Sequence, residues 1–117
     1  IFQIKDIKNN KEILSKLNLI IDFIQSKKGN KVCLFPLQNV DEEFLNILIN
    51  GLSESKRIKT LKNISYCYSE DEFDKFVDAD LKIMVGSIGM INLDNLNHIK
   101  RRLEVFEKDL EAFIVLN

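Results

Sequence analysis

Four short runs in which almost every residue is apolar constrain this chain most. They are Lys31-Val32-Cys33-Leu34-Phe35, Ile64-Ser65-Tyr66-Cys67-Tyr68, Leu81-Lys82-Ile83-Met84-Val85 and Ala112-Phe113-Ile114-Val115-Leu116. Each is too short for a self-sufficient helix, so each reads as a strand. A strand with one wet face alternates apolar and polar side chains, whereas a strand covered on both faces need not. Between the runs lie amphipathic helical patterns. Asn9, followed three residues later by Glu12, opens one that carries Ile13, Leu14, Leu17, Ile20, Ile21 and Ile24 to about Ser26 and the turn Lys27-Lys28-Gly29-Asn30. A second runs from Asp41 to about Ser53 on Phe44, Leu45, Leu48, Ile49 and Leu52. Asp41, Glu42 and Glu43 fill its first turn, where the helix dipole favours negative charge. Ser69 and Glu72 have capping-box spacing before a short helix through Phe73, Phe76 and Val77, and Asn92 opens a longer one on Leu96, Ile99, Leu103 and Phe106.

The order is helix first, then strands and helices in alternation, then a strand. This predicts an α/β fold: a small three-layer sandwich, Rossmann-like or P-loop-like, with about four mainly parallel strands. The strand near Val32 is expected at the centre, the one near Tyr66 on one side, and those near Ile83 and Ile114 on the other. Ligands of such sheets sit beyond the carboxyl ends of the strands, which singles out residues 36–41, Ser69 and residues 86–90. Residues 1–117 read as one domain, and the opening residue, Ile1 instead of Met, suggests a domain cut from a longer protein. The stretch Leu17 to Ile24, broken by Asn18 and Asp22, falls far short of the roughly 20 residues of a membrane helix.

Composition then narrows the function classes. The 17 Lys and Arg against 18 Asp and Glu leave no positive surplus for nucleic acid. Four Gly and one His give little material for phosphate cradles or metal sites. Cys33 and Cys67 lie in strand-like runs without CxxC spacing and read as reduced, buried thiols of a reducing compartment. At the first strand-to-helix turn, 36–44, the Gly, Lys and Ser or Thr of a GxxxxGK[ST] loop are missing, and three carboxylates stand where phosphates would lie. No catalytic residue, cofactor or metal is expected. The candidate interaction surface comprises Asn39, Asp41, Ser87, Ile88 and Met90, together with Arg101 and Arg102 from a small basic cluster that Glu104 and Glu107 offset. His98 reads as an ordinary helix histidine. The competing arrangement is an Mg²⁺-dependent, phosphate-handling site built from Asp41, Asp78, Asp80 and Ser87.

Two short words carry a family resemblance. Asp78-Ala79-Asp80-Leu81-Lys82-Ile83-Met84-Val85-Gly86, followed by a helix and Ala112-Phe113-Ile114-Val115-Leu116-Asn117, resembles the last third of bacterial tyrosine autokinases of the polysaccharide-export system. Residues 11–24 and 31–35 are similar to the helix and first strand before the nucleotide loop of that family. The Lys-containing loop is absent at 37–44, the chain between Ser53 and Ser69 is too short for the middle strands with their Mg²⁺-binding aspartates, and no tyrosine cluster follows Asn117. The resemblance therefore implies a shortened, nucleotide-free relative of the ATPase domain of capsular and exopolysaccharide chain-length proteins. Such a domain would lie on the cytoplasmic side of a membrane and act through a protein partner or self-association. The stretch 79–115 also resembles part of a two-component receiver domain. Gly86 and Pro36-Leu37 stand where a receiver needs its phosphorylated aspartate and its acidic pair.

Overall fold

A computed structural model describes residues 1–55, 62–87, 89 and 92–116. Strand β1 (Phe2–Ile4) leads into helix α1 (Asn10–Ser26), strand β2 (Lys31–Pro36), helix α2 (Glu42–Glu54) and strand β3 (Asn63–Tyr66). A 3₁₀ turn (Glu70–Glu72) and the short helix α3 (Phe73–Asp78) lead to strand β4 (Leu81–Ser87), helix α4 (Leu93–Val105) and strand β5 (Ala112–Leu116). The five strands form one sheet in the order β1-β5-β4-β2-β3, and every neighbouring pair is parallel. The arrangement of β2 between β3 and β4, with β5 beyond β4, is the one expected from the apolar runs.

Strand β1 is a fifth strand that the sequence pattern does not announce, and it makes the chain strand-first instead of helix-first. Three residues are too few to show a period, so its place depends on pairing: Phe2 lies opposite Ile114 and Ile4 opposite Leu116. Side chains along each strand point alternately to the two faces. Val32, Leu34, Leu81, Ile83, Val85 and Ile114 pack with Ile20 and Ile24 of α1 and Phe44, Leu48 and Leu52 of α2. Cys33, Phe35 and Met84 pack on the other side with Phe73 and Phe76 of α3 and Ile99 and Leu103 of α4. Helices thus cover both faces, α1 and α2 on one and α3 and α4 on the other, which explains why the strands could be apolar throughout.

The helix ends follow from capping chemistry, with two departures from the simple patterns. The Asn9 side chain accepts the Glu12 N–H at 3.2 Å, yet the Glu12 carboxylate reaches the Lys5 N–H at 2.8 Å and so ties the exit of β1 to the first turn of α1. Glu72 likewise accepts from the Tyr68 N–H, not from Ser69, and pairs with Lys75 at 2.6 Å. The Lys75 ammonium holds the Glu72 carboxyl below its ordinary range. Asn92 accepts the N–H groups of Asp94 and Asn95 and caps α4 as its sequence suggests. At the far end Glu107 takes φ 56°, and the Lys108 N–H returns to the Leu103 carbonyl at 3.0 Å, a left-handed stop made without glycine.

At the amino end of the sheet, Asp80 fastens the α1–β2 turn. Its Oδ2 accepts the N–H groups of Asn30 and Lys31 at 3.2 and 3.1 Å, and its own N–H donates to the Lys31 carbonyl at 2.9 Å. Gly29, at φ +88°, lies so close that a β-carbon there would sit 2.5 Å from Asp80 Cβ. Lys82 is buried beside this end of β4. Its ammonium donates to the Ala79 carbonyl at 2.9 Å and faces Glu111 at 3.5 Å, and its N–H donates to the same carboxylate at 2.7 Å.

Candidate functional site

The connection after β2 leads to α2 on one face of the sheet, and the connection after β4 leads to α4 on the other. The carboxyl ends of these adjacent strands therefore part around a crevice, the usual ligand position in open α/β sheets. The turn after β2 is held over that crevice by backbone bonds. The Leu37 N–H donates to the Val85 carbonyl at 2.8 Å, and the Val40 N–H donates to the Leu37 carbonyl at 3.2 Å. Asn39, between them, adopts φ 64°, a left-handed conformation that asparagine tolerates better than most side chains. Asp41 then begins the helix. Its Oδ1 accepts the Phe44 N–H at 2.9 Å, and its own N–H donates to the buried Ser87 hydroxyl at 3.0 Å.

An open cleft of about 780 Å³ lies over this turn. Phe35, Leu37, Val40 and Leu45 give it an apolar floor. Gln38, Asn39, Glu42, Tyr68, Ser69 and Asn95 give it a polar rim. Among the described residues the rim holds one carboxylate and no Lys, Arg or His, and these residues do not attract phosphate. The α2 N-terminus, which could bind an anion through free N–H groups, is instead engaged by the carboxylate of Asp41. Glu42 and Glu43 stand exposed in the same turn and would repel a polyphosphate further. A second groove of about 650 Å³, more apolar, runs between Ile1, Leu93, Leu96, Phe113 and Val115.

The structure brings together part of the sequence-derived surface and separates the rest. Asn39, Asp41 and Ser87 meet at the crevice. Arg101 and Arg102 lie on α4 about 14 to 15 Å along the helix from Asn92 at about 1.5 Å per residue, and the Arg102 guanidinium covers the Phe73 ring at 4.0 Å. Ile88 and Met90 lie outside the described residues. Asp78 and Asp80 do not join Asp41 and Ser87. They precede β4 while Ser87 ends it, and seven strand residues span roughly 20 Å. Asp80 is already engaged with two backbone N–H groups. Among the described residues no group of three His, Cys, Asp or Glu side chains could hold a metal ion.

Both cysteines are free and buried, as their strand-like setting suggests. Burial pushes the Cys33 thiol above its ordinary value and raises Cys67 to about 11, where the Sγ donates to the Ser69 carbonyl at 3.1 Å. Neither thiol has the exposed, electropositive setting of a nucleophile. His98 is exposed on α4. No helix among the described residues is long and apolar enough to cross a membrane. Sequence reasoning pointed to residues 36–41 and Ser69 but missed Tyr68 and Asn95 as cleft residues. Tyr68 closes a run that looks like strand to its end, although pairing stops at Tyr66. Asn95 could have been found, because Asn92 marks the start of α4 and so places Asn95 in its first turn. No family model, curated protein or solved structure matches the chain, and no family is assigned to it.

Proposed function

We propose that this chain is a noncatalytic interaction or regulatory domain: a nucleotide-free relative of the ATPase domain of polysaccharide-export tyrosine autokinases. It would act at the cytoplasmic side of a membrane through a protein partner or a second copy of itself. One observation carries the noncatalytic part. The N-terminus of α2 is occupied from within by Asp41, whose carboxylate takes the Phe44 N–H and whose own N–H is bound by Ser87. A nucleotide would have to displace that cap and approach Glu42 and Glu43, with no Lys or Arg among the described residues of the cleft rim to offset the charge. The polysaccharide setting draws its support from the resemblance alone. The test is a titration of ATP and Mg²⁺ while the melting temperature is followed. The expected result is no saturable change, and a saturable rise of several degrees refutes the reading, because a ligand of the native state must stabilise it.

A second reading, a degenerate receiver-like signalling domain, is favoured by strand order. Counted from β2, the four later strands lie in the spatial order 2-1-3-4, which is that of flavodoxin-like sheets, and β1 fills the place of a fifth strand. Gly86 near the end of β4 and Pro36-Leu37 at the end of β2 stand where a receiver would hold its acidic groups, so this relative would be an inactive one. A DNA-binding or histidine-kinase segment on the same polypeptide would support this lineage, and a two-helix membrane segment upstream would support the other.

A further inference from the structure

The cleft at the carboxyl ends of β2 and β4 is built from groups that the noncatalytic reading does not use. Its volume of about 780 Å³ is that of a small-molecule site. Among the described residues the rim offers the primary amides of Gln38, Asn39 and Asn95, the hydroxyl of Ser69 and the carboxylate of Glu42. Each amide both donates and accepts through one planar group, so it can match a pair of neighbouring hydroxyls on a ligand. No hydrogen bond among the described residues engages the side-chain amides of Gln38 or Asn39. Tyr68 adds an aromatic surface. The residue is 58% exposed, and its ring stacks on that of Tyr66 at 6.1 Å and 25°, a contact that favours one ring orientation before any ligand arrives. The backbone at Asn39 is likewise fixed, by the left-handed turn and the bonds on either side of it.

We infer that this cleft binds a neutral saccharide, with a C–H face of a sugar ring on Tyr68 and its hydroxyls shared among the amides and Glu42. Rim chemistry selects this class. The described lining residues include no Lys, Arg or His, which disfavours phosphates and sugar acids, and the density of amides disfavours a purely apolar ligand. Pre-ordering of the ring and the turn lowers the entropy lost on binding. The inference rests on the reading of the chain as a binding domain without nucleotide chemistry.

The test uses the ¹⁵N-labelled 117-residue chain titrated separately with maltotriose, cellotriose and N,N′-diacetylchitobiose, with backbone and side-chain amide signals followed by NMR. The expected result is saturable shifts at Tyr68, at Asn95 and at the Asn39 side-chain amide with at least one of the three sugars. Tyr68→Ala should weaken that binding about tenfold, a loss of about 1.4 kcal/mol. Asn39→Gly, which keeps the left-handed backbone and removes only the amide, should weaken it as well and remains informative if Tyr68→Ala does not fold. Absence of saturable shifts with all three sugars overturns the inference, and so does binding that both folded variants retain unchanged. Such a failure leaves the noncatalytic reading intact, whereas an ATP-dependent rise in melting temperature removes that reading and would not by itself move the sugar titration.

Discussion

The Asp41 N–H donates to the Ser87 hydroxyl at 3.0 Å, and this bond joins the start of α2 to the last residue of β4 across the crevice where the sheet's connections part. Ser87 is 5% exposed, so its hydroxyl cannot simply exchange this partner for bulk water. Ser87→Ala should cost about 1 kcal/mol. Urea unfolding should show a lower midpoint at an unchanged slope. The amide of Asp41 should also exchange with solvent faster than in the parent chain, and an unchanged exchange rate would mean that the bond does not hold the turn.

Gly29 and Gly89 both have positive φ, +88° and +87°, yet their surroundings differ. A β-carbon at Gly89 meets nothing within 4 Å, whereas at Gly29 it collides with Asp80. Gly89→Ala should therefore cost about 1 kcal/mol, the conformational penalty alone. Gly29→Ala should cost about 3 kcal/mol, because Asp80 must also give up its bonds to Asn30 and Lys31. Equal losses in denaturant unfolding would show that Asp80 can move aside freely. In the background of Asp80→Ala the Gly29→Ala penalty should shrink toward that of Gly89→Ala, the coupling expected of residues in contact.

Stability should fall at alkaline pH. Burial raises Cys67 from 9.0 to about 11 and raises Cys33 in the same direction, so the folded chain keeps protons that the unfolded chain has already released. Stability is thus level below about pH 9 and declines between about pH 9 and 11. The raised Tyr66 phenol extends the decline above its ordinary 10.0. Urea midpoints at about pH 8 and about pH 10 measure the difference. Cys67→Ala should flatten the slope between them, and a slope unchanged by that variant would assign the decline to other groups.

The strand order was legible because Leu81, Ile83 and Val85, alternating with Met84, leave no wet face, and that pattern requires helices on both sides of β4. The caps at Asn9, Asp41 and Asn92 were legible because short polar side chains before apolar periodicity satisfy free N–H groups. The place of β1 was not, since Phe2–Ile4 owes it to a partner near the other end of the chain. The site was legible in part. Residues 36–41 follow from the end of a strand, and the charge of Asp41, Glu42 and Glu43 already argues against phosphate. The separation of Asp80 from Asp41 was hidden, because an acidic word does not reveal which end of the sheet it occupies. Tyr68 was hidden because a run of aromatic and apolar residues does not mark where strand pairing stops.

The pairing of β1 with β5 also bears on how the molecule is made. Of the paired strands, β1 leaves the ribosome before β2, β3 and β4 and its partner β5 after them, so this edge of the sheet cannot close until Ala112–Leu116 has been made. Until then, the inner strands can assemble while Phe2 and Ile4 wait without a template. A nascent chain stalled before Ala112 should thus hold a native-like centre with an unsealed border at β4, a sticky surface that other chains can reach.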